Sequence, residues 1–299
     1  MSGLRSLLLD IEPLRRYRDF RIVYFGLMAS NIGRQVVVVA LPYQLYVETG
    51  SALAIGLLAL VQLVPLLTFS LWGGAIADSV EQRRLLLLTQ SGLLLTSAAL
   101  TAIALMDEPS VLLIYVVAFA AASISAIDQP ARSAAIYRLV PRSDLARAIA
   151  LQQAGWQLPS VLGPAFGGVL IAAVGLPAAY AVDALTFLVS LLSVFLIAPL
   201  PALRGGRRAG LEAVLEGLRF VRRIRTILAT FVIDLDAMIF GLPVAIFPIL
   251  ALDVFKVGPE GLGLMAAAPA LGALFGALFS GWCARVRFQG RAVMAAVGA

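Results

Sequence analysis

Histidine is absent from this 299-residue chain, and cysteine occurs once, at Cys283. The first absence excludes imidazole metal sites, Ser/His triads and histidine proton relays, and the second excludes an internal disulfide or a cysteine zinc cluster. Charge is scarce too. Only 13% of the residues are charged and 61% are hydrophobic, whereas a soluble domain is about a quarter charged and about half apolar. A chain this apolar is neither an ordinary water-soluble enzyme nor a disordered segment, because it could not stay solvated without aggregating. The stretch Gly205, Gly206, Arg207, Arg208 is glycine-rich but lacks the GxxxxGK[ST] phosphate cradle, so no nucleotide site and no direct ATP drive are expected. HExxH is missing as well, which leaves an embedded enzyme without a catalytic cluster. The expectation is therefore no enzyme, no metal and no cofactor. What remains for chemistry is carboxylates, arginines, amides and hydroxyls.

What the chain has in plenty is long apolar runs. A bilayer core about 30 Å thick takes about 20 residues of helix, and eight runs of that order lie at 20–46, 52–77, 85–106, 111–127, 146–174, 177–200, 226–252 and 262–282. A ninth begins at Ala292. Runs of this length are too long for barrel strands, and a helix is the one single-segment solution that satisfies every backbone group in lipid. The leucines at 7–9 are too few to form the core of a signal peptide.

The 23 Lys and Arg exceed the 17 Asp and Glu, a net charge of +6. In a soluble protein that surplus suggests nucleic acid, but its placement points elsewhere. Except for Arg34, deep in the first run, and Lys256, every basic residue falls before the first run, after the eighth, or in alternate connections between runs, with Arg21 and Arg147 counted there because they sit at the first turn of runs one and five. Positive residues stay on the cytoplasmic side, so the N-terminus is expected there, and the basic balance reflects topology and anionic lipid rather than a nucleic-acid partner. The longest connection divides the chain into a six-helix bundle (1–200), a cytoplasmic segment (201–225) and an incomplete second bundle (226–299). Within that segment Leu211, Val214, Leu215, Leu218 and Val221 recur at helical spacing. They suit an amphipathic helix lying on the inner leaflet, or one that binds a partner.

Three motifs stand out. GGAIADSVEQRR at 73–84 puts Gly74 and Asp78 at a membrane exit and Arg83 and Arg84 in a tight turn. A small Gly74 lets a neighbouring helix approach closely, and Asp78 can accept hydrogen bonds from helix ends or arginines in one state only. Asp128, Pro130 and Arg132 (DQPAR) follow the fourth run. Gly163, Pro164, Gly167 and Gly168 (GPAFGG) lie in the fifth, where proline removes a backbone donor and glycines allow close packing, as a switch point or as a plain packing kink.

The first segment resembles the loop motif of the major facilitator superfamily, with Ser79, Glu81 and Gln82 departing from its basic and glycine positions. DQPAR is similar to the DxPAR signature of the enterobactin (siderophore) exporter branch, and GPAFGG to the GPxxGG of exporters in the same superfamily. AVDALTF at 181–187 and the stretches 216–223 and 234–248 also look like that branch. The resemblance implies an all-α, polytopic protein of major facilitator fold in a bacterial inner membrane. It further implies a proton-coupled antiporter whose two six-helix halves rock around a central site, exporting a siderophore-like or drug-like small molecule. Helices one, four, seven and ten line the cavity in that family, so this chain carries the first bundle, about two further helices and the start of a ninth. The alternative is a truncated, non-transporting remnant or a membrane scaffold or sensor.

Charges inside a bilayer are costly and usually face a cavity or a partner. Arg34, Asp183, Asp234 and Asp236 are placed there by the runs. Asn31, Arg34 and Gln35 share a helix face, a candidate cavity wall or one side of a packing salt bridge. Gln44 and Gln157 are further candidates for solute contact, as are Tyr43 and Gln153; each set could equally bond a neighbouring helix. Asp234 and Asp236 point about 200° apart on a helix, so at most one faces the cavity as a proton carrier; the alternative is a position in the lipid headgroup zone. Asp183 is a third carrier candidate, or an interfacial or helix-packing aspartate near the outer end of its helix.

Overall fold

The computed structural model describes residues 10–200, 222–224, 228–229 and 246–279, with 70–79 and 276–279 as helix backbone only. After a short helical turn, Glu12–Arg16, six long helices follow: α1 (Arg18–Thr49), α2 (Ala52–Ser79), α3 (Gln82–Ala104), α4 (Val111–Leu139), α5 (Leu145–Val174) and α6 (Leu176–Phe195). All six contain spans long and apolar enough to cross a membrane. A short helix, Phe247–Ile249, runs into a π-type turn at Leu250–Val254, and α7 (Gly258–Phe279) carries most of the eighth run. The proposed amphipathic segment, Asp234, Asp236, Cys283 and the ninth run lie outside the described residues.

The helix ends follow from local chemistry. Gly50 closes α1 in the left-handed conformation (φ 60°), donating its N–H to the Tyr46 carbonyl. Pro177 sits in the first turn of α6, where its missing N–H costs nothing. One boundary departs from the hydropathy reading. The fourth run stops at Ile127, but α4 continues to Leu139, so Asp128, Pro130 and Arg132 lie inside a helix and not in the connection after it. Asp128 ends the apolar run without ending the helix because Arg132, one turn on, neutralises it. Arg132, grouped above with the basic residues of a cytoplasmic loop, is consequently 3% exposed.

Within the bundle α1 packs on α5 and α6, α3 on α4 and α6, and α2 on α4, while α7 packs on α5. Two apolar clusters form. One joins the beginnings of α1, α3 and α5 to the ends of α4 and α6 through Phe20, Leu86, Ile136, Leu151 and Val194. The other joins the opposite ends through Val36, Leu45, Ile103, Ile114 and Tyr180, and takes in Ala251 and Leu262 from the second half of the chain. Successive helices therefore alternate in direction. Leu53, Leu88, Leu95, Leu112 and Leu185 are left on the outside, each more than 60% exposed, which is where a lipid-facing belt belongs.

Candidate functional site

Between the two apolar clusters lies a layer of buried polar side chains. Asp128 and Arg132 of α4 are 0% and 3% exposed. Asp128 Oδ1 accepts hydrogen bonds from Thr89 Oγ1 at 2.6 Å and Gln90 Nε2 at 2.8 Å, both on α3. Its Oδ2 takes the Nε of Arg132, and Arg34 Nη2 of α1 stands 3.9 Å from the same oxygen. Arg132 Nη1 donates to Ser30 Oγ at 3.0 Å. Asp183, on α6, accepts from Ser97 Oγ at 2.6 Å. Four helices thus contribute to one cluster of two aspartates and two arginines. Lipid cannot solvate such groups, and the pairing of Asp128 with the arginines is what makes the burial of those three tolerable.

Glycine brings α1 and α6 close enough for this. A side chain at Gly33 would collide with Thr186, and its first carbon would stand 2.6 Å from Asp183 Oδ1 and 2.9 Å from Asp183 Cα. Seven residues earlier, Gly26 faces Ser193 and Ser190 in the same way. Such a seam of small residues lets helix backbones approach in a membrane. Gly33→Ala is expected to lower stability by about 1–3 kcal/mol through overpacking. Gly56→Ala, with open space around it, should be neutral, and thermal unfolding in detergent compares the two.

The residues singled out in the sequence are distributed unevenly around this layer. Asn31 donates to the Gly155 carbonyl of α5 at 3.4 Å. With Tyr24, Leu27, Arg132, Gln152 and Trp156 it borders a cavity of about 20 Å³, room for about one water. Asn31 Oδ1 and Arg132 Nη2 are buried without a partner among the described residues. Gln35 lies where Gly163 of α5 crosses α1. Gln44 is fully buried and receives the Tyr180 hydroxyl at 2.7 Å, so it joins α1 to α6. Gln157 is half-buried and Gln153 exposed. Asp183 is 3% exposed, in the bundle interior. Thr89, Gln90 and Ser97 went unnoticed in the sequence. Their signal was a polar stripe on an apolar helix, legible only once Asp128 and Asp183 were known to face it.

The end of the bundle near the N-terminus is held by arginines. Arg83 donates to the carbonyls of Val194 and Phe195 at 3.3 and 2.7 Å, supplying donors and positive charge where α6 leaves its last carbonyls unpaired. Arg84 pairs locally with Glu81 at 2.6 Å. Gly74 and Asp78 fall in the last turns of α2, where only the backbone is described. Asp144 collects Tyr17, Arg16 and Arg147. Its hydrogen bond holds the Tyr17 hydroxyl above the usual phenol range.

At the opposite end the two parts of the chain meet. A Cβ on Gly168 of α5 would run into the Pro259 carbonyl and stand 2.9 Å from Gly263 Cα of α7, while one on Gly263 would meet Gly168 Cα at the same distance. Two glycines therefore cross backbone to backbone. Nearby, the Tyr46 hydroxyl at the end of α1 donates to Asp253 in the π-type turn. Beside this crossing Ile32, Leu162, Phe166, Val169, Leu264 and Glu260 border a mainly apolar cleft of about 710 Å³, within the size range of small-molecule sites.

A family model described as transmembrane secretion effector matches residues 10–298. The chain belongs to that family. The secretion effectors are major facilitator transporters and not enzymes, and this chain is a multi-pass membrane member of that family. It is 29% identical over 283 residues to the enterobactin exporters of Shigella boydii serotype 18 and Escherichia coli O127:H6. Those alignments cover 93% of this chain and 66% of each relative; the chain spans just under two thirds of the relatives' length. Among solved structures, a bacterial homologue of the human lysosomal transporter Spinster, inward-facing and unoccupied, matches 92% of this chain and 63% of its own, with a TM-score of 0.66 at 17% identity. A peptide-bound POT family transporter matches with a TM-score of 0.62 at 13% identity, over 91% of this chain and 71% of its own. Both carry the same fold.

Proposed function

We propose that this secretion effector exports a siderophore-like or drug-like small molecule by alternating access, driven by protons. The observation that carries the reading is the buried layer of Arg34, Asp128, Arg132 and Asp183 inside helices of membrane length. Pure scaffolding does not need four charges in lipid, and intramembrane ionisable groups commonly serve ion or solute pathways. Arg34 is the most open member, with its side chain 24% exposed. In this reading it attracts an anionic or catecholate end of a solute, and the apolar cleft beside α5, bordered on α1 by Ile32, is a separate surface for apolar groups. The similarity to enterobactin exporters supports a siderophore-like solute.

In this reading 1–200 forms one half, 201–225 connects the halves in the cytoplasm and 226–299 belongs to the other. Positive residues at the N-terminal end orient the chain with that end inside. Asp183, and one of Asp234 and Asp236, carry protons. The crossing at Gly168 and Gly263 and the Tyr46 to Asp253 contact then close the outer side. Tyr46→Phe should loosen that closure by about 1 kcal/mol, the net value of one hydrogen bond. The expected sign is a broader spin-label distance distribution between positions 47 and 257 by double electron–electron resonance.

The functional test uses everted membrane vesicles with an imposed pH gradient. Gradient-driven uptake of enterobactin, abolished by a protonophore, is the expected result. Uptake of ethidium instead would move the solute class to cationic drugs. Uptake of neither, with the protein present in the membrane, overturns the proposal.

A further inference from the structure

We propose that Asp183 is the proton-carrying carboxyl of the first bundle and that Arg34 is the cation it exchanges with Asp128. The inference rests on the proton-driven reading above and names its ionisable site. Its basis is that the two buried aspartates are served very differently. Both oxygens of Asp128 are occupied, one by Thr89 and Gln90, the other by Arg132 with Arg34 at 3.9 Å. Asp183 has a single hydrogen bond, from Ser97 to Oδ2, and its Oδ1 is buried with no partner among the described residues. No ion pair within 4.0 Å reaches it among those residues.

Among the described residues the surroundings leave one exchangeable cation. The charged group facing Asp183 is Arg34 of α1, and Arg34 in turn faces Asp128 and Arg132 of α4. From α6 comes Tyr180, whose proton is given to Gln44. Helix α3 offers neutral Ser97 and Gln90, and α5 carries no charge beyond Arg147, near its start. Arg132 is committed to Asp128 one turn away and to Ser30. Arg34 is not so bound. Its only carboxylate contact among the described residues is at the edge of ion-pair distance, and it follows directly on Gly33, the residue against which the bare Oδ1 lies.

The cycle that follows is a shuttle of one guanidinium. With its proton, Asp183 is neutral and sits in an apolar wall at small cost, while Arg34 stays with Asp128. When the proton leaves to water, an isolated carboxylate remains, which is expensive to bury. Arg34 then swings to Oδ1, and Asp128 keeps Arg132. The cluster changes by one unit of charge, and α1 is repositioned relative to α6 along the Gly26 and Gly33 seam. Protonation is thereby converted into a movement of one helix against another, without any covalent step.

Infrared difference spectroscopy of the purified protein in lipid, between neutral and alkaline pH, tests this. The expected spectrum shows a protonated-carboxyl C=O band that disappears as pH rises, is lost in Asp183→Asn and persists in Asp128→Asn. Ser97→Ala, a smaller change that serves if Asp183→Asn fails to fold, should shift the same band by removing its one hydrogen bond. A band unchanged in both Asp183→Asn and Ser97→Ala overturns the assignment, even if gradient-driven transport is intact. Loss of gradient-driven transport with the Asp183 band present would instead overturn the proton-driven reading and leave the carboxyl assignment standing.

Discussion

Asp128→Asn is expected to lower the stability of this membrane protein by about 3–5 kcal/mol, the range seen when one partner of a buried ion pair is removed. The carboxylate is the only anion in contact with Arg132 and the nearest to Arg34 among the described residues. Asparagine keeps the shape and can still meet Thr89 or Gln90, so the loss is almost purely one of charge. Two guanidiniums are then left in a layer that neither water nor lipid solvates. The check is thermal unfolding in detergent, followed by the loss of the monodisperse peak in size-exclusion chromatography. The pairing makes a second, sharper claim. Asp128→Asn combined with Arg132→Gln should be less destabilised than the sum of the two single changes, because each change removes the charge that the other had stranded. Strict additivity would mean that the two residues do not act as a pair.

Gly168→Leu should have the second large effect, on conformation more than on folding. The atoms that a side chain would meet are backbone atoms of Pro259 and Gly263, which cannot swing aside as a flexible side chain can. Overpacking of this kind costs about 1–3 kcal/mol, and here the strain is relieved by separating α5 from α7. The first bundle is otherwise untouched. The expected result is a population shift of roughly tenfold per 1.4 kcal/mol toward the state in which this end is open. It is read as a longer distance between spin labels at positions 47 and 257. An unchanged distance with unchanged stability would show that the glycine crossing does not hold the end closed.

The membrane character of the chain was legible residue by residue. Runs of some twenty apolar residues can satisfy their backbone in lipid only as helices, so the positions of α1, α2, α3, α5 and α6 follow from hydropathy to within a few residues. The end of α4 did not. Hydropathy counts Asp128 and Arg132 as two polar residues, whereas their spacing of four makes them a neutral pair that a helix can carry inward. The direction of Asp183 was not legible for a related reason: distance from the helix start says how deep a residue lies, not which way it faces. That direction is set by Gly33 and Ser97, on helices far away in sequence.

Composition, run length and the asymmetry of basic residues therefore decide that this is a helical membrane protein, because each depends only on the cost of placing a residue in lipid. The DQPAR and GPAFGG motifs point to its family for the same local reason. Which carboxylate is fully paired, which is left with a bare oxygen, and which glycines meet across the two parts of the chain are decided only by the packing of α1, α3, α4, α5, α6 and α7. Hydrogen bonds and close backbone contacts act over about 3 Å, and residues brought within that distance here are separated by as many as 207 positions in the chain.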